Sequence, residues 1–320
     1  MRTMKVVCGY DPGEPLRARL AGWADEGAQF VVSSEEEVAR FAGDLRDAEV
    51  LLHILKPVTE EVMAGAPRLR LVQKIGVGVD TIDLDAARRR GVAVANMPGT
   101  NTQAVAESAL MLMLAALRNL PNLDRACRTG NGWSPEGEAR ERRNTLGELC
   151  GRTVGLVGAG AVVSRLVGPL RALGARVIYA DRRERPELEA ERHDLDDLLG
   201  ASDVVSLHLP LTPETEGLID RRTLARMKPG AILVNTARGG LVDETALVET
   251  LTSGRLLAAG LDVLAEEPPP PDHPLLSMDN VVLTPHVAWL TQETLARSFE
   301  VALENVRRLR DGRDLLFRVA

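Results

Sequence analysis

Cysteine is scarce in this 320-residue chain, long apolar runs are missing, and basic residues are not in excess. The three cysteines, Cys8, Cys127 and Cys150, match no metal or redox spacing, so they read as buried small apolar side chains in a reducing compartment, and no metal is expected. No apolar stretch approaches the roughly 18–20 residues needed to cross a bilayer. The longest, Ala104 to Leu120, is interrupted by Glu107 and Ser108. A net charge of −7 argues against a general nucleic-acid surface. Met1-Arg-Thr-Met-Lys5 leads straight into strand-like Val6-Val7-Cys8, which sets the expectation of a cytoplasmic protein without a secretory leader.

What is present is the composition of an ordinary globular protein, 45% hydrophobic and 27% charged, at a length that suggests two domains. Short β-rich runs alternate with amphipathic stretches, the pattern of parallel sheets with crossover helices. Strands are expected at Lys5–Cys8, Gln29–Val32, Val50–Ile54, Leu71–Ile75 and Ala93–Ala95, with helices at Pro15–Asp25, Ser34–Ala42, Thr59–Ala64 and Asp85–Arg90. A long apolar pattern from Asn101 to Leu120 predicts a helix, either a central core helix or a subunit-interface helix. Residues 128–145, rich in glycine and charge, read as an exposed loop. From Thr153 to Thr284 a second alternation gives six strands: Thr153–Val157, Arg176–Ala180, Val204–Leu207, Ile232–Asn235, Ala258–Asp262 and Val281–Thr284. A final helix is expected over about Thr291 to Arg310.

Three polar residues each follow an apolar run in the last third: Arg238 in Asn-Thr-Ala-Arg-Gly, Glu267 in Ala-Glu-Glu-Pro, and His286 in Thr-Pro-His-Val-Ala. Carboxyl ends of strands are where open α/β sheets bind ligands. Chemistry on a carbonyl beside a carboxylate needs a guanidinium to orient the anion and an imidazole to move a proton, with a carboxylate to tune it. Val154-Gly-Leu-Val-Gly158-Ala-Gly160 supplies a strand running into a glycine turn and then a helix, the context of a dinucleotide fingerprint. Gly158 permits the tight turn, and Gly160 permits a pyrophosphate to approach the helix start at Ala161 and Val162. Val163 stands where a third glycine is usual, which implies a slightly displaced helix, and Gly168-Pro169 predicts a kink. Asp181 closes the second strand, where an acid binds a ribose 2′-hydroxyl and repels a 2′-phosphate, which favours NAD. Arg182 and Arg183 follow directly and could accommodate NADP instead. A second glycine turn, Lys74-Ile-Gly76-Val-Gly78, could form an anion nest.

With these motifs in order, the chain resembles the D-isomer-specific 2-hydroxyacid dehydrogenases. The resemblance rests on Gly76-Val-Gly-Val-Asp80, Asn96-Met-Pro-Gly99, Val105-Ala-Glu107, Gly155 to Gly160, His208-Leu-Pro210, Asn235-Thr-Ala-Arg-Gly239, Asp262-Val263 with Glu267-Pro268, and Thr284-Pro-His286. It implies an α/β fold of two Rossmann-like domains with parallel sheets: a flavodoxin-like substrate domain, residues 1–97 plus 288–320, interrupted by an NAD-binding domain, residues 98–287. It also implies a homodimer and an active site in the cleft between the domains. Carried over, Arg238 would bind the substrate carboxylate and keto oxygen. His286 would be the general acid and base, and Glu267 would hydrogen-bond and stabilise the imidazolium. The N–H groups of Val77 and Gly78 would hold the carboxylate. Asp262 would contact the nicotinamide carboxamide, with Thr236 and Ala237 nearby and Pro210 along the cofactor.

The activity this implies is hydride transfer between NAD(H) and a small 2-oxo or D-2-hydroxy acid. Formate enzymes of the family resemble a version with glutamine at the Glu267 position, so Glu267 argues against that branch, whereas phosphite oxidation keeps a glutamate. A dinucleotide-sensing protein similar to the corepressors built on this fold is the reading from a different class. His208 is expected to position a turn near the cofactor and His53 to line the substrate cleft. Lys56 or Lys74, if turned inward, would select a second anionic group on the substrate. Trp289 either covers the substrate or packs toward solvent.

Overall fold

The computed structural model describes residues 3–10, 13–24, 27–34, 37–133 and 146–320. The chain divides into two compact units, Met1–Asn101 with Leu290–Ala320, and Thr102–Trp289.

The first unit is a five-stranded parallel sheet in the order β2-β1-β3-β4-β5, built from Met4–Cys8, Ala28–Val32, Val50–His53, Leu71–Lys74 and Ala93–Ala95. Strands β3, β4 and β5 are buried at every position, as continuous apolar runs covered on both faces should be. Thr59 and Asp83 cap the helices Glu60–Gly65 and Leu84–Arg90 by accepting from Val62 N and Ala86 N, and Gly91 ends the second in the left-handed region. The helix expected from Ser34 begins only at Val38 and runs to Leu45, and the one expected to reach Asp25 ends at Ala21 in a tight turn, Gly22–Ala24.

The C-terminal helix Gln292–Arg310 completes this unit. Its Asn305 amide donates to Gln73 Oε1 at 2.6 Å, and Phe299 meets Trp23 and Phe30 edge-on. Such pairs add about 0.5–1.5 kcal/mol beyond area burial.

The second unit is a seven-stranded parallel sheet, β12-β11-β10-β9-β6-β7-β8. Its strands are Thr153–Val157 (β6), Arg176–Ala180 (β7), Glu191–Arg192 (β8), Val204–Leu207 (β9), Ala231–Asn235 (β10), Leu256–Leu261 (β11) and Val281–Leu283 (β12). Six strands were expected, and the seventh is the two-residue edge strand β8. It is exposed and charged, so it carries no apolar periodicity. The order reverses between β6 and β9, and that switch point is where a doubly wound sheet opens its ligand crevice.

The helix Thr102–Leu117 buries Ala109, Leu112, Met113 and Ala116 in the core of this unit, with Leu112 pressed onto Gly260 of β11. Met111 and Leu114 remain on its exposed side. The helix stops short of Leu120 because Asn119 adopts φ 47, after which a helix missed in the sequence, Leu120–Arg128, leaves at 64°. The helix Ala161–Ala172 continues through Pro169, with Val163 fully buried. Of the expected loop 128–145, residues 134–145 lie outside the described residues. Among the described residues, no single helix is long and apolar enough to cross a membrane.

Candidate active site

The carboxyl ends of β10, β11 and β12 build one cluster within the second unit. Asn235, the last residue of β10, folds the turn that follows: its side-chain oxygen accepts from Ala237 N at 3.0 Å and its amide donates to Arg238 O at 2.8 Å. Gly239 then lies against the backbone of the next loop. A Cβ there would fall 2.0 Å from Leu264 C and 2.3 Å from Ala265 N, so only glycine fits. The absence of that one methyl group couples the Arg238 turn to the loop that carries Glu267.

Glu267 accepts from its own loop, Leu264 N, at 2.9 Å through Oε1, and from His286 Nδ1 at 2.5 Å through Oε2. Burial works against the charge of this carboxylate. The His286 hydrogen bond and charge, the Leu264 N–H and the nearby Arg238 outweigh it, so the carboxyl is held below its ordinary range. Donation from Nδ1 assigns Nε2 as the other face of the imidazole.

His286 itself sits at φ 54, in the left-handed region. Asp262, directly after β11, holds it there. The Asp262 carbonyl accepts from His286 N at 2.7 Å, and its carboxylate accepts from Thr284 Oγ1, Val287 N and Ala288 N at 2.6–2.9 Å. Burial pushes the Asp262 carboxyl up, against the pull of those donors. With three acceptor positions taken by the chain itself, this carboxylate chiefly organises the histidine loop, a job sequence reading did not foresee. The Trp289 indole donates to His286 O at 3.1 Å, so it too braces that loop.

The glycine turn lies at the switch point. Gly158 has φ 96, and a Cβ on it would fall 2.5 Å from the His208 carbonyl, which follows β9. His208 thus shapes this turn, and its ring shares a 3.0 Å hydrogen bond with Ser206 Oγ. Gly160 has nothing within 4 Å of where a Cβ would stand and precedes the exposed Ala161 and half-buried Val162, whose N–H groups open a 12-residue helix. Asp181 Oδ2 accepts from Ala159 N at 2.8 Å and Oδ1 from Arg183 N at 2.9 Å, which leaves one acceptor position on each oxygen. Thr236 Oγ1 is buried and has no partner among the described residues, and Ala237 is half-buried beside it. Pro210 is exposed, and its carbonyl accepts from Thr215 Oγ1. An open glycine approach, a helix N-terminus, a half-used carboxylate and a hydroxyl without a partner among the described residues fit a dinucleotide.

In the first unit, Val77 is 44% exposed and its carbonyl accepts from the Asn96 amide. Among the described residues neither Val77 N nor Gly78 N donates a hydrogen bond, as an anion nest requires. His53, fully buried, donates from Nε2 to Lys56 O at 2.5 Å, and its Nδ1 has no partner among the described residues. Lys74, also buried, donates to Ile54 O.

The strand order and glycine turn define a doubly wound dinucleotide-binding protein, and the imidazole–carboxylate pair equips it to move a proton. Residues 110–288 match the family model described as D-isomer specific 2-hydroxyacid dehydrogenase, NAD binding domain. The chain belongs to the D-isomer specific 2-hydroxyacid dehydrogenase family, and NAD is the cofactor of its matched domain. It is 42% identical over 273 residues to a glyoxylate reductase of Aeropyrum pernix, covering 84% of this chain and 82% of that one. It is 43% identical over 260 residues to a D-3-phosphoglycerate dehydrogenase of Archaeoglobus fulgidus, covering 80% of this chain. The chain spans about half the length of that relative, 48%. The crystal structure of the TT0316 protein from Thermus thermophilus superposes with a TM-score of 0.89 at 38% identity, covering 99% of this chain and 100% of that one.

Proposed function

We propose that this protein interconverts a small 2-oxo acid and its D-2-hydroxy acid, with His286 as general acid and base, Glu267 as its partner and Arg238 as the substrate-carboxylate ligand. The observation that carries this reading is the 2.5 Å contact between His286 Nδ1 and Glu267 Oε2 on a loop locked to the Arg238 turn. Bound NAD(H) supplies hydride donation and acceptance. In reduction, Arg238 orients the carboxylate and polarises the keto group, and His286 Nε2 delivers a proton to the keto oxygen. Glu267 stabilises the imidazolium that must give up that proton. In oxidation the same nitrogen takes the hydroxyl proton.

The N–H groups of Val77 and Gly78 are assigned to a carboxylate as well, as their anion-nest geometry supports. Gly158, Gly160, Ala161 and Val162 hold the pyrophosphate, and Asp181 holds the ribose. Thr236, Ala237, Pro210 and Asp262 line the cofactor. The family neighbours named glyoxylate reductase support a small substrate, and we assign the working form as a homodimer.

The test is a panel of glyoxylate, hydroxypyruvate, phenylpyruvate and other 2-oxo acids assayed with NADH and NADPH, with phosphite and formate run in the oxidative direction. Consumption of NADH with at least one 2-oxo acid, and a preference for NADH over NADPH, is expected. Tight NADH binding with no acid reduced would contradict the proposal and favour a dinucleotide sensor.

A further inference from the structure

A second carboxylate–imidazole pair stands behind the first. The side chains of Glu244 and His273 are only 16% and 18% exposed, and His273 Nε2 donates to Glu244 Oε2 at 3.2 Å. The other oxygen, Oε1, accepts from Ala265 N at 2.7 Å. Ala265 is the residue next to Leu264, whose N–H Glu267 grips at 2.9 Å. Two consecutive N–H groups of one loop are therefore held by two different glutamates. On the facing side Gly239 closes against the same Leu264–Ala265 peptide.

Local folding puts Glu244 in place. Asp243 caps the helix Glu244–Thr252 by accepting from Ala246 N at 3.0 Å, which fixes Glu244 in the first turn. The Pro268–Pro271 run, which is extended and cannot be helical, carries the chain away from Glu267, and the turn at His273 and Pro274–Leu276 returns the ring to the Glu244 carboxylate.

We propose that Glu244, supported by His273, is a positioning residue for proton transfer: it anchors the Val263–Glu267 loop so that the Glu267 carboxylate stays on His286 Nδ1. This rests on the reading of His286 as the proton donor. The Glu244 carboxylate acts on Glu267 and His286 through the backbone of Ala265 rather than by touching either side chain. A loop freed at Ala265 lets Glu267 leave the imidazole, the imidazolium loses its partner, and reduction becomes weaker at the alkaline side of its range. An ion pair that only added stability would have no such effect.

The experiment compares the parent with Glu244→Ala, Glu244→Gln and His273→Ala. Glutamine keeps an oxygen to accept from Ala265 N, so it is the rescue variant. Two readouts are taken: the pH profile of kcat/KM for 2-oxo-acid reduction, and the titration of the His286 ring followed by NMR with 15N-labelled histidine, which needs no turnover. For Glu244→Ala the descending limb and the ring titration both move to lower pH by about half a unit or more. Its kcat/KM falls roughly 10-fold or more, the size of one hydrogen bond to a charged group, while the Kd for NADH stays within about 2-fold. Glu244→Gln lies close to the parent, and His273→Ala shifts in the same direction by less. Should Glu244→Ala fail to fold, His273→Ala is read in the same two ways.

Parent-like pH limbs and ring titrations in the alanine variants, whatever their thermal stability, overturn the proposal. A parent that reduces no 2-oxo acid overturns the functional reading instead, and the ring titration still decides whether the clamp exists.

Discussion

His286 holds φ 54, a conformation that costs a non-glycine residue about 1–2 kcal/mol. The cost is offset by the Asp262 carbonyl and carboxylate, which together accept from His286 N, Val287 N and Ala288 N. Residue-level predictions follow from the role of each group. His286→Ala removes a general acid and should lower kcat by on the order of 10²–10⁴, with the Kd for NADH little changed in fluorescence titration. A loss in NADH affinity of similar size would place His286 in cofactor binding instead. Glu267→Gln removes the negative charge beside Nδ1, so the protonated imidazole is less stabilised. Reduction needs that protonated form and fades as pH rises, so its descending limb should move to lower pH. An overlay of the two pH profiles would remove Glu267 from its assigned role. Arg238, Glu267 and His286 stand out in the sequence as candidates because each follows an apolar run and together they make a recognisable chemical set, and the structure brings Glu267 and His286 into contact. The part Asp262 plays in holding the histidine loop was not legible, because its partners Thr284, Val287 and Ala288 lie more than twenty residues away and two of them are backbone groups.

At the scale of elements, the turn after β6 separates shape from binding. Gly158 at φ 96 faces the His208 carbonyl, so Gly158→Ala strains the turn and should lower the melting temperature as well as NADH affinity. Gly160 has an ordinary negative φ and open space where a Cβ would go. Gly160→Ala should therefore keep the parent's melting temperature while weakening NADH roughly 10-fold or more, by blocking the pyrophosphate approach. Equal NADH affinity in Gly160→Ala and the parent would move the pyrophosphate elsewhere. Apolar periodicity located nearly every strand and the long helix from Thr102, because burial on a sheet face leaves that signature. It missed β8 and the helix Leu120–Arg128, which are short, polar or mostly exposed, and it began the Val38 helix four residues early. Elements without a buried stripe leave no pattern to read.

At the scale of the whole molecule, parallel order was legible from alternating strands and helices, whereas side-chain pairs bridging distant segments were not. Gln73 with Asn305 and Glu244 with His273 depend on how the elements stack, which no local window contains. One buried group also links the fold to pH. Burial and then the Lys74 charge press the His53 imidazole from its ordinary 6.5 down to about 3. Between those values the unfolded chain binds a proton that the folded chain refuses, so stability rises with pH through the window and is lost as pH falls below 6.5. The loss between about pH 7 and about pH 5 is on the order of 2 kcal/mol. Urea unfolding of His53→Gln should show a fall smaller by about that amount, and an identical fall would mean that His53 protonates in the folded protein.

The central claim is hydride transfer coupled to protonation at His286, and isotope tracing tests it most directly. With NADH carrying deuterium at both C4 positions of the nicotinamide and an accepted 2-oxo acid, the product should be the D-2-hydroxy acid with one deuterium at C2, formed by the parent and suppressed in His286→Ala. An unlabelled or L-configured product, or equal label transfer by both proteins, would contradict it.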